Sequence, residues 1–291
     1  MGTIGIYTTN RCNLKCKYCF AEQQKYDLDL KKAYEFIDYY STKFHEKSNN
    51  IIVTGGESLL SIGLKDLCEQ LIKKFSDVAV LTNGIYLTDE WLKYFQERNI
   101  SIHISMDSIA PEYHEKYRGC FRETKEVADR MVNFKSKQKS VICMTLSYEN
   151  LDQLYPMMEY VKENDYFLDL NLISLDTSEK LSWSNATKEQ IKFALKGIED
   201  WISLSQRVVK GKLMKRVLLE NSFYLDVCYN RTHMIVIHSN GDIYPCFMNK
   251  KRYFGNIYTD SFKKIIETKK NLDSCKQNDD CFSMACMGVY V

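Results

Sequence analysis

Apolar and polar positions alternate in two periods along most of this chain. Short β-rich runs at 3–9, 51–54, 78–81, 100–106, 141–146 and 167–173 read as strands. Between them, apolar residues recur at helical spacing. Leu30, Ala33, Tyr34, Ile37 and Tyr40 form one stripe, and Leu64, Leu67, Cys68, Leu71 and Ile72 another. Thr88 is placed to cap a helix whose first turn carries Asp89 and Glu90. Thr124, Val127, Met131 and Phe134 mark a further helix, 151–161 another, and Ile191, Ala194, Leu195, Ile198 and Trp201 a long one. Strand followed by helix, repeated about six times, predicts an α/β fold with a parallel sheet and right-handed crossovers. The alternation stops near Arg216. Beyond Cys228 the pattern predicts a hairpin turning at Ser239-Asn240-Gly241-Asp242, a short helix from Ser261, and a cysteine-rich tail. The chain therefore divides into 1–215 and a smaller unit, 216–291. The stretch 176–188 is polar and unpatterned and reads as a surface loop.

Composition narrows the class. Forty basic residues against 38 acidic give a net charge of +2, with no long run of one sign, so nothing points to nucleic acid. No apolar run reaches membrane-spanning length, and the residues before Arg11 are too few for a signal peptide. A cytoplasmic protein is expected, and in that compartment 11 cysteines read as metal ligands or catalytic thiols more than as disulfides.

Three of those cysteines fall within eight residues, Cys12-Asn13-Leu14-Lys15-Cys16-Lys17-Tyr18-Cys19, spaced C-x3-C-x2-C. So tight a loop can turn three thiolates onto one inorganic cluster, one ligand short of the usual four. Zinc sites, the other reading, usually come as two distant C-x2-C-like pairs. The remaining polar motifs all stand where strands end: Gly55-Gly56-Glu57, Thr82-Asn83-Gly84 and Ser105-Met106-Asp107. Chemistry in parallel sheets gathers at these ends. The two glycines allow close approach to the backbone, and the carboxylate of Glu57 can take a ligand ammonium.

The cysteine loop, with Gly-Gly-Glu one strand–helix unit later, resembles the radical S-adenosylmethionine (SAM) superfamily. That resemblance implies a partial (β/α)6 TIM-like barrel. It also implies a 4Fe–4S cluster on Cys12, Cys16 and Cys19 whose open iron chelates SAM. Reduction then yields a 5′-deoxyadenosyl radical that removes a hydrogen atom from substrate. It further implies that Tyr18, Gly55, Gly56, Glu57, Asn83 and Ser105 bind the cofactor, with Arg118 pairing its carboxylate, and that an external reductant such as flavodoxin or ferredoxin serves the cluster. A surface role for Arg118 and a turn role for Asn83 stay open.

Cys228, Gly241, Cys246, Cys275, Cys281 and Cys286 look like the C-terminal SPASM/Twitch extension of such enzymes, an α+β unit carrying auxiliary 4Fe–4S clusters. A full SPASM domain has seven cysteines; here Leu272 stands in the place of one, and none follows Cys286. One auxiliary cluster is expected, on Cys228, Cys246 and Cys286, with Cys275 and Cys281 competing for the fourth place. A structural zinc site from the same thiolates is the alternative.

Cys68 reads as core, and Cys143 as a strand residue whose direction is open. Cys120 follows Arg118-Gly119 in the loop after the fourth strand, from where a thiol can return a hydrogen atom to a substrate radical, as in peptide epimerases of the superfamily. His45, His103, His233 and His238 carry no assigned role. Enzymes with this extension mostly oxidise, cross-link or epimerise peptides, so a peptide substrate is expected, with a small metabolite or a non-catalytic metal-binding module as alternatives. Phe247 replaces the catalytic Asp of sulfatase-maturing members, which disfavours that oxidation. Only residues 1–11 precede Cys12, which leaves a peptide to another surface or a separate partner, since the N-terminal leader-binding domain of many relatives is not expected.

Overall fold

The structure is a computed structural model that describes residues 2–19, 21, 25–44, 49–173, 181–220, 234–247 and 252–273. Six parallel strands alternate with helices: β1 (Gly2–Tyr7), β2 (Asn49–Thr54), β3 (Asp77–Thr82), β4 (Ser101–Ser105), β5 (Val141–Leu146) and β6 (Phe167–Leu172). The helices are α1 (Leu30–Phe44), α2 (Leu64–Ile72), α3 (Asp89–Glu97), α4 (Pro111–Tyr117), α5 (Phe121–Met131), α6 (Leu154–Glu163), α7 (Lys188–Ser205), α8 (Val208–Glu220) and α9 (Phe262–Asp273).

One face of every strand is apolar. Ile4 and Ile6, Ile51 and Val53, Val78 and Val80, Ile102 and Ile104, Ile142 and Met144, and Leu168 and Leu170 are buried in one core with the helices. Each such side chain contributes about 1.5–3 kcal/mol by leaving water. A one-residue slip would turn them all to the other face, so the register is held (Ile4↔Ile51, Ile142↔Leu168). The opposite face becomes polar across the sheet: Ile52 on β2, Leu81 on β3, then His103 and Ser105, Cys143 and Thr145, and Asp169 and Asn171 on β4–β6.

The sheet does not stop at the sixth strand. β7 (Met234–Ile237) pairs parallel with β1, opposite Ile4 and Ile6, and β8 (Asp242–Tyr244) and β9 (Gly255–Asn256) follow antiparallel. The nine strands run β6-β5-β4-β3-β2-β1-β7-β8-β9. The expected turn joins β7 to β8, with Gly241 at φ +86°, a conformation that suits glycine. Residue 216 lies inside α8, and the appended hairpin extends the main sheet. Two helices went unpredicted, α4 and α8. Part of the expected surface loop is core, since Leu181 and Trp183 are buried. Among the described residues no helix is long and apolar enough to cross a membrane.

Candidate active site

A cleft of about 290 Å³ opens at the C-terminal ends of the parallel strands, lined by residues from the cysteine loop and from β1 to β6. Cys12, Cys16 and Cys19 all face it. The loop that carries them is clamped from below. Thr9 Oγ1 accepts from Arg11 N (3.0 Å) and donates to Asp27 (2.6 Å), while Arg11 reaches Asp27 (2.9 Å) and Leu60 O (2.9 Å). From the side, Lys17 N donates to Tyr117 O of α4 (2.9 Å). Leu14 N points at Cys12 Sγ (3.4 Å), a donor suited to a thiolate. Burial pushes the Cys16 thiol up to about 11 and raises Cys12 as well, and the neighbouring thiols add to both shifts. Clustered thiols become thiolates together only when a cation compensates them. Among the described residues, no three His, Cys, Asp or Glu side chains converge on a point where one metal ion can sit. A cubane presents its irons at separate corners, so its ligands surround it without meeting. Three thiols on one short loop are a donor set that fits a cubane.

The Gly-Gly-Glu segment corrects an expectation. The backbone that the glycines admit belongs to the chain itself. A Cβ on Gly56 would stand 2.4 Å from Arg11 O, and one on Gly55 2.7 Å from Thr9 O. Gly56 N and Glu57 N donate to Thr9 O (2.6 Å) and Arg11 O (2.8 Å), seating the cysteine loop on the end of β2. Nor does Glu57 offer its carboxylate to a ligand. It is 1% exposed and accepts from Leu59 N (3.0 Å), Thr82 Oγ1 (2.8 Å) and Asn83 N (2.8 Å). Burial raises its carboxyl all the same. Gly55 and Gly56 do line the cleft. Asn83 takes the turn role, its Oδ1 accepting from Ile85 N (3.0 Å), and its Nδ2 donates to Asn13 Oδ1 (2.8 Å), 4.0 Å from Cys12 Sγ.

Asp107, not assigned from sequence, organises the next sector. It is fully buried and accepts from Arg118 Nε (3.0 Å) and Nη2 (3.2 Å), from Thr145 N (2.8 Å) and from the Tyr18 hydroxyl. Burial alone would raise its carboxyl, but the Arg118 guanidinium and these donors outweigh it and hold it below the ordinary range. Arg118 is therefore not a surface residue, and its carboxylate partner is within the chain. Tyr18 and Arg118 line the cleft beneath the cysteines, with the guanidinium 5.4 Å from the Tyr18 ring centre and the Arg118 carbonyl 3.9 Å from Cys16 Sγ. Ser105 also lines it.

Cys120 is a second correction. It sits at the start of α5 in the left-handed conformation (φ +53°), near Glu115 and Glu123, and is absent from the cleft wall. The thiol that faces the cleft beside Ser105 is Cys143, its register partner on β5. Cys68 is core, as expected. Toward β7, Cys246 is buried with Tyr7, Met234 and Val236, and Tyr7 and Phe247 also line the cleft. Phe247 covers Gly5 and packs edge-on against Tyr7 (5.5 Å), which stacks on His238 (5.0 Å). Cys228, Cys275, Cys281 and Cys286, with His45 and His233, lie outside the described residues.

Residues 6–161 match the profile of the radical SAM superfamily, and residues 228–287 that of the SPASM iron-sulfur cluster-binding domain. The chain belongs to the radical SAM superfamily. Its cofactors are accordingly SAM and 4Fe–4S clusters. Among similar proteins is the subtilosin biosynthesis protein AlbA of Bacillus subtilis, 24% identical over 97% of this chain and 66% of its own length. The sporulation killing factor maturation protein SkfB of the same organism is 25% identical over 93% and 67%. This radical SAM chain thus spans about two thirds of their length. A cysteine-type anaerobic sulfatase-maturating enzyme of Clostridium perfringens is 26% identical over 93% of the chain and 82% of its own length. Two solved structures share the fold. One is anSMEcpe with bound AdoMet and a peptide, with a TM-score of 0.66, 21% identity, and coverage of 93% and 81%. The other is Streptococcus suis SuiB bound to its precursor peptide SuiA, with a TM-score of 0.65, 15% identity, and coverage of 89% and 62%.

Proposed function

We propose that this radical SAM protein modifies a ribosomally made peptide. The observation that carries the reading is similarity along nearly the whole chain to AlbA and SkfB, named for bacteriocin biosynthesis and killing-factor maturation. Cluster and SAM together supply a carbon-centred radical able to take a hydrogen atom, an oxidoreductase-type reaction served by an external reductant such as flavodoxin or ferredoxin.

The chain's own residues do the positioning. Cys12, Cys16 and Cys19 hold the cluster, on a loop immobilised by Gly55, Gly56 and the Thr9–Asp27–Arg11 contacts. Asn83, Ser105 and the Gly55-Gly56 backbone border the space beside that loop where SAM binds. Tyr18 and Arg118, both locked on Asp107, form a wall with no spare rotation, so a bound cofactor meets a fixed surface. Cys246 is a ligand of the auxiliary cluster, with partners among Cys228, Cys275, Cys281 and Cys286. The β4–β6 side of the cleft is left for substrate.

The test is anaerobic reconstitution with iron counting and product assays. About eight Fe per chain are expected, together with 5′-deoxyadenosine when SAM and dithionite are added. Replacing Cys12, Cys16 and Cys19 by Ala removes about four Fe and all SAM cleavage; cleavage that survives the triple replacement defeats the assignment. A short peptide encoded beside this gene should change mass on incubation with enzyme, SAM and reductant. Turnover of a small metabolite in its place would redirect the substrate reading and leave the chemistry standing.

A further inference from the structure

The charged groups that line the cleft are already paired. Besides the cysteines they are Arg118, Asp169 and Arg207. Arg118 pairs with Asp107 (3.0 Å), and Asp169 with Lys210 (2.7 Å). Arg207 stands 3.8 Å from Asp169 and has a further interaction besides. Lys210 also donates to Asn171 Oδ1 (3.0 Å), and Asn171 Nδ2 donates to Asp169 Oδ2 (3.1 Å). An ionic group entering from outside would have to break one of these pairs.

His103 differs from them. It lines the cleft, is 7% exposed, and its ring makes no hydrogen bond to any described residue. An unpartnered ring in so buried a place is costly unless something else supplies the partner. Burial, reinforced by the Arg207 charge and opposed by Asp169, holds the ring well below the usual imidazole range, at about 4. It is therefore uncharged at neutral pH, with one nitrogen to donate and one to accept. His103 stands two residues inside Ser105, the last residue of β4, and so lies deeper than the groups at the strand ends. Its register partner on β3 is Leu81, which lines the cleft as well. Farther along the same face come Ile52 on β2 and the ring of Phe247, which lies over Gly5, the register partner of Ile52 on β1. An apolar strip thus ends on one neutral hydrogen-bonding ring. Apolar walls with a few placed polar groups are the usual form of a site for an uncharged ligand.

We propose that this strip is a substrate subsite for an uncharged side chain with an apolar body and a hydroxyl or amide at its end. The body lies on Phe247, Ile52 and Leu81, and the polar end bonds to His103, which makes His103 a specificity-determining residue. The inference rests on the reading that substrate occupies the cleft beside the cofactor. It narrows the residue presented there to a neutral one and sets acidic and basic side chains aside.

The experiment is saturation-transfer NMR on the anaerobically reconstituted protein with SAM present. The probes are the N-acetyl α-amides of tyrosine and phenylalanine, which differ by a hydroxyl, of glutamine and methionine, which differ by an amide, and of glutamic acid. In at least one pair the polar member should bind at least about fivefold more tightly than its apolar partner. Which pair shows the preference distinguishes a hydroxyl from an amide. The glutamic acid probe should bind no more tightly than the methionine one. His103→Phe should abolish the preference while the apolar partner binds as before, and His103→Gln, which keeps a neutral donor and acceptor, should retain part of it. If His103→Phe does not fold, judged by its thermal transition, His103→Leu carries the same test. Equal binding within both pairs, no binding of any probe, a preference that persists without the imidazole, or tightest binding by glutamic acid would each overturn the proposal. Displacement of the preferred probe as SAM is raised would also overturn it, by giving the ring to the cofactor. If the wild-type protein shows the preference yet forms no 5′-deoxyadenosine, the reading of the reaction falls and the subsite stands; 5′-deoxyadenosine without the preference gives the converse.

Discussion

On β1–β3 the chemistry stands on loops beyond the strand ends, whereas on β4–β6 it stands on the strands themselves. The first sector is backbone packed against backbone: Gly56 touches Arg11, and the amides of Gly56 and Glu57 bond to the cysteine loop. The second is side chain against side chain: Asp169 with Lys210, and His103 and Cys143 on neighbouring strands. The first kind of site is written in contiguous motifs, because a tight turn needs particular residues at consecutive positions. The second is written at every other residue of separate strands and is completed from a distant helix. The first suits a cofactor common to a superfamily; the second can vary with substrate while the loops stay unchanged.

The contrast can be broken at Gly56. Gly56→Ala should cost about four Fe per chain, because the added Cβ displaces the cysteine loop. If iron content is normal and only SAM affinity falls, then the glycine serves the ligand and not the loop. The next effect is on stability. Lys210→Met leaves Asp169 without its buried cation and should cost about 3 kcal/mol in urea unfolding. Adding Asp169→Asn should recover much of it. A loss near zero for Lys210→Met alone would mean that the pair is hydrated.

Asp107→Asn should cost about 2 kcal/mol at neutral pH, since it removes the anion facing Arg118. The sign of its pH dependence follows from linkage. The carboxyl is held below its unfolded value, so the unfolded chain binds the proton first as pH falls. The stability from this group is complete above about pH 5 and declines as pH drops below about 4. Denaturation profiles of the wild type should show that decline, and those of Asp107→Asn should show less of it; equal slopes would refute the assignment. The smallest effect is expected at Cys120. Cys120→Ala should change product formation by less than about twofold, and Cys143→Ala by more, since only the latter thiol lines the cleft. The reverse ranking would restore a role for Cys120.

The six strands of the barrel were legible because alternation of apolar and polar residues is a local property, and each expected run lies on an observed strand. The same alternation in Leu168-Asp169-Leu170-Asn171-Leu172 also held a functional signal. Strands of a parallel sheet covered on both faces are usually apolar throughout, so polar residues at every second position mark a face that lines a cleft. Two helices escaped. α4 is short and its N-cap residue, Ala110, offers no side-chain cap, leaving Pro111 and Glu112 as its entry signals. In α8 the apolar stripe is interrupted by Lys210, a charged residue that the fold buries. Glu57 and Cys120 were misread for one reason: a residue's place in a motif does not say which way its side chain turns.

Local spacing determined the order of strands and helices, the parallel sheet, the cysteine loop and the family resemblance, because turns, caps and periodicities are settled within a few residues. Tertiary structure alone decided which polar groups meet. Asp107 meets Tyr18 across 89 positions, and Asp169 meets Lys210 across 41. Those meetings depend on strand register and on where a helix crosses the sheet, and both are settled by the packing of the whole core.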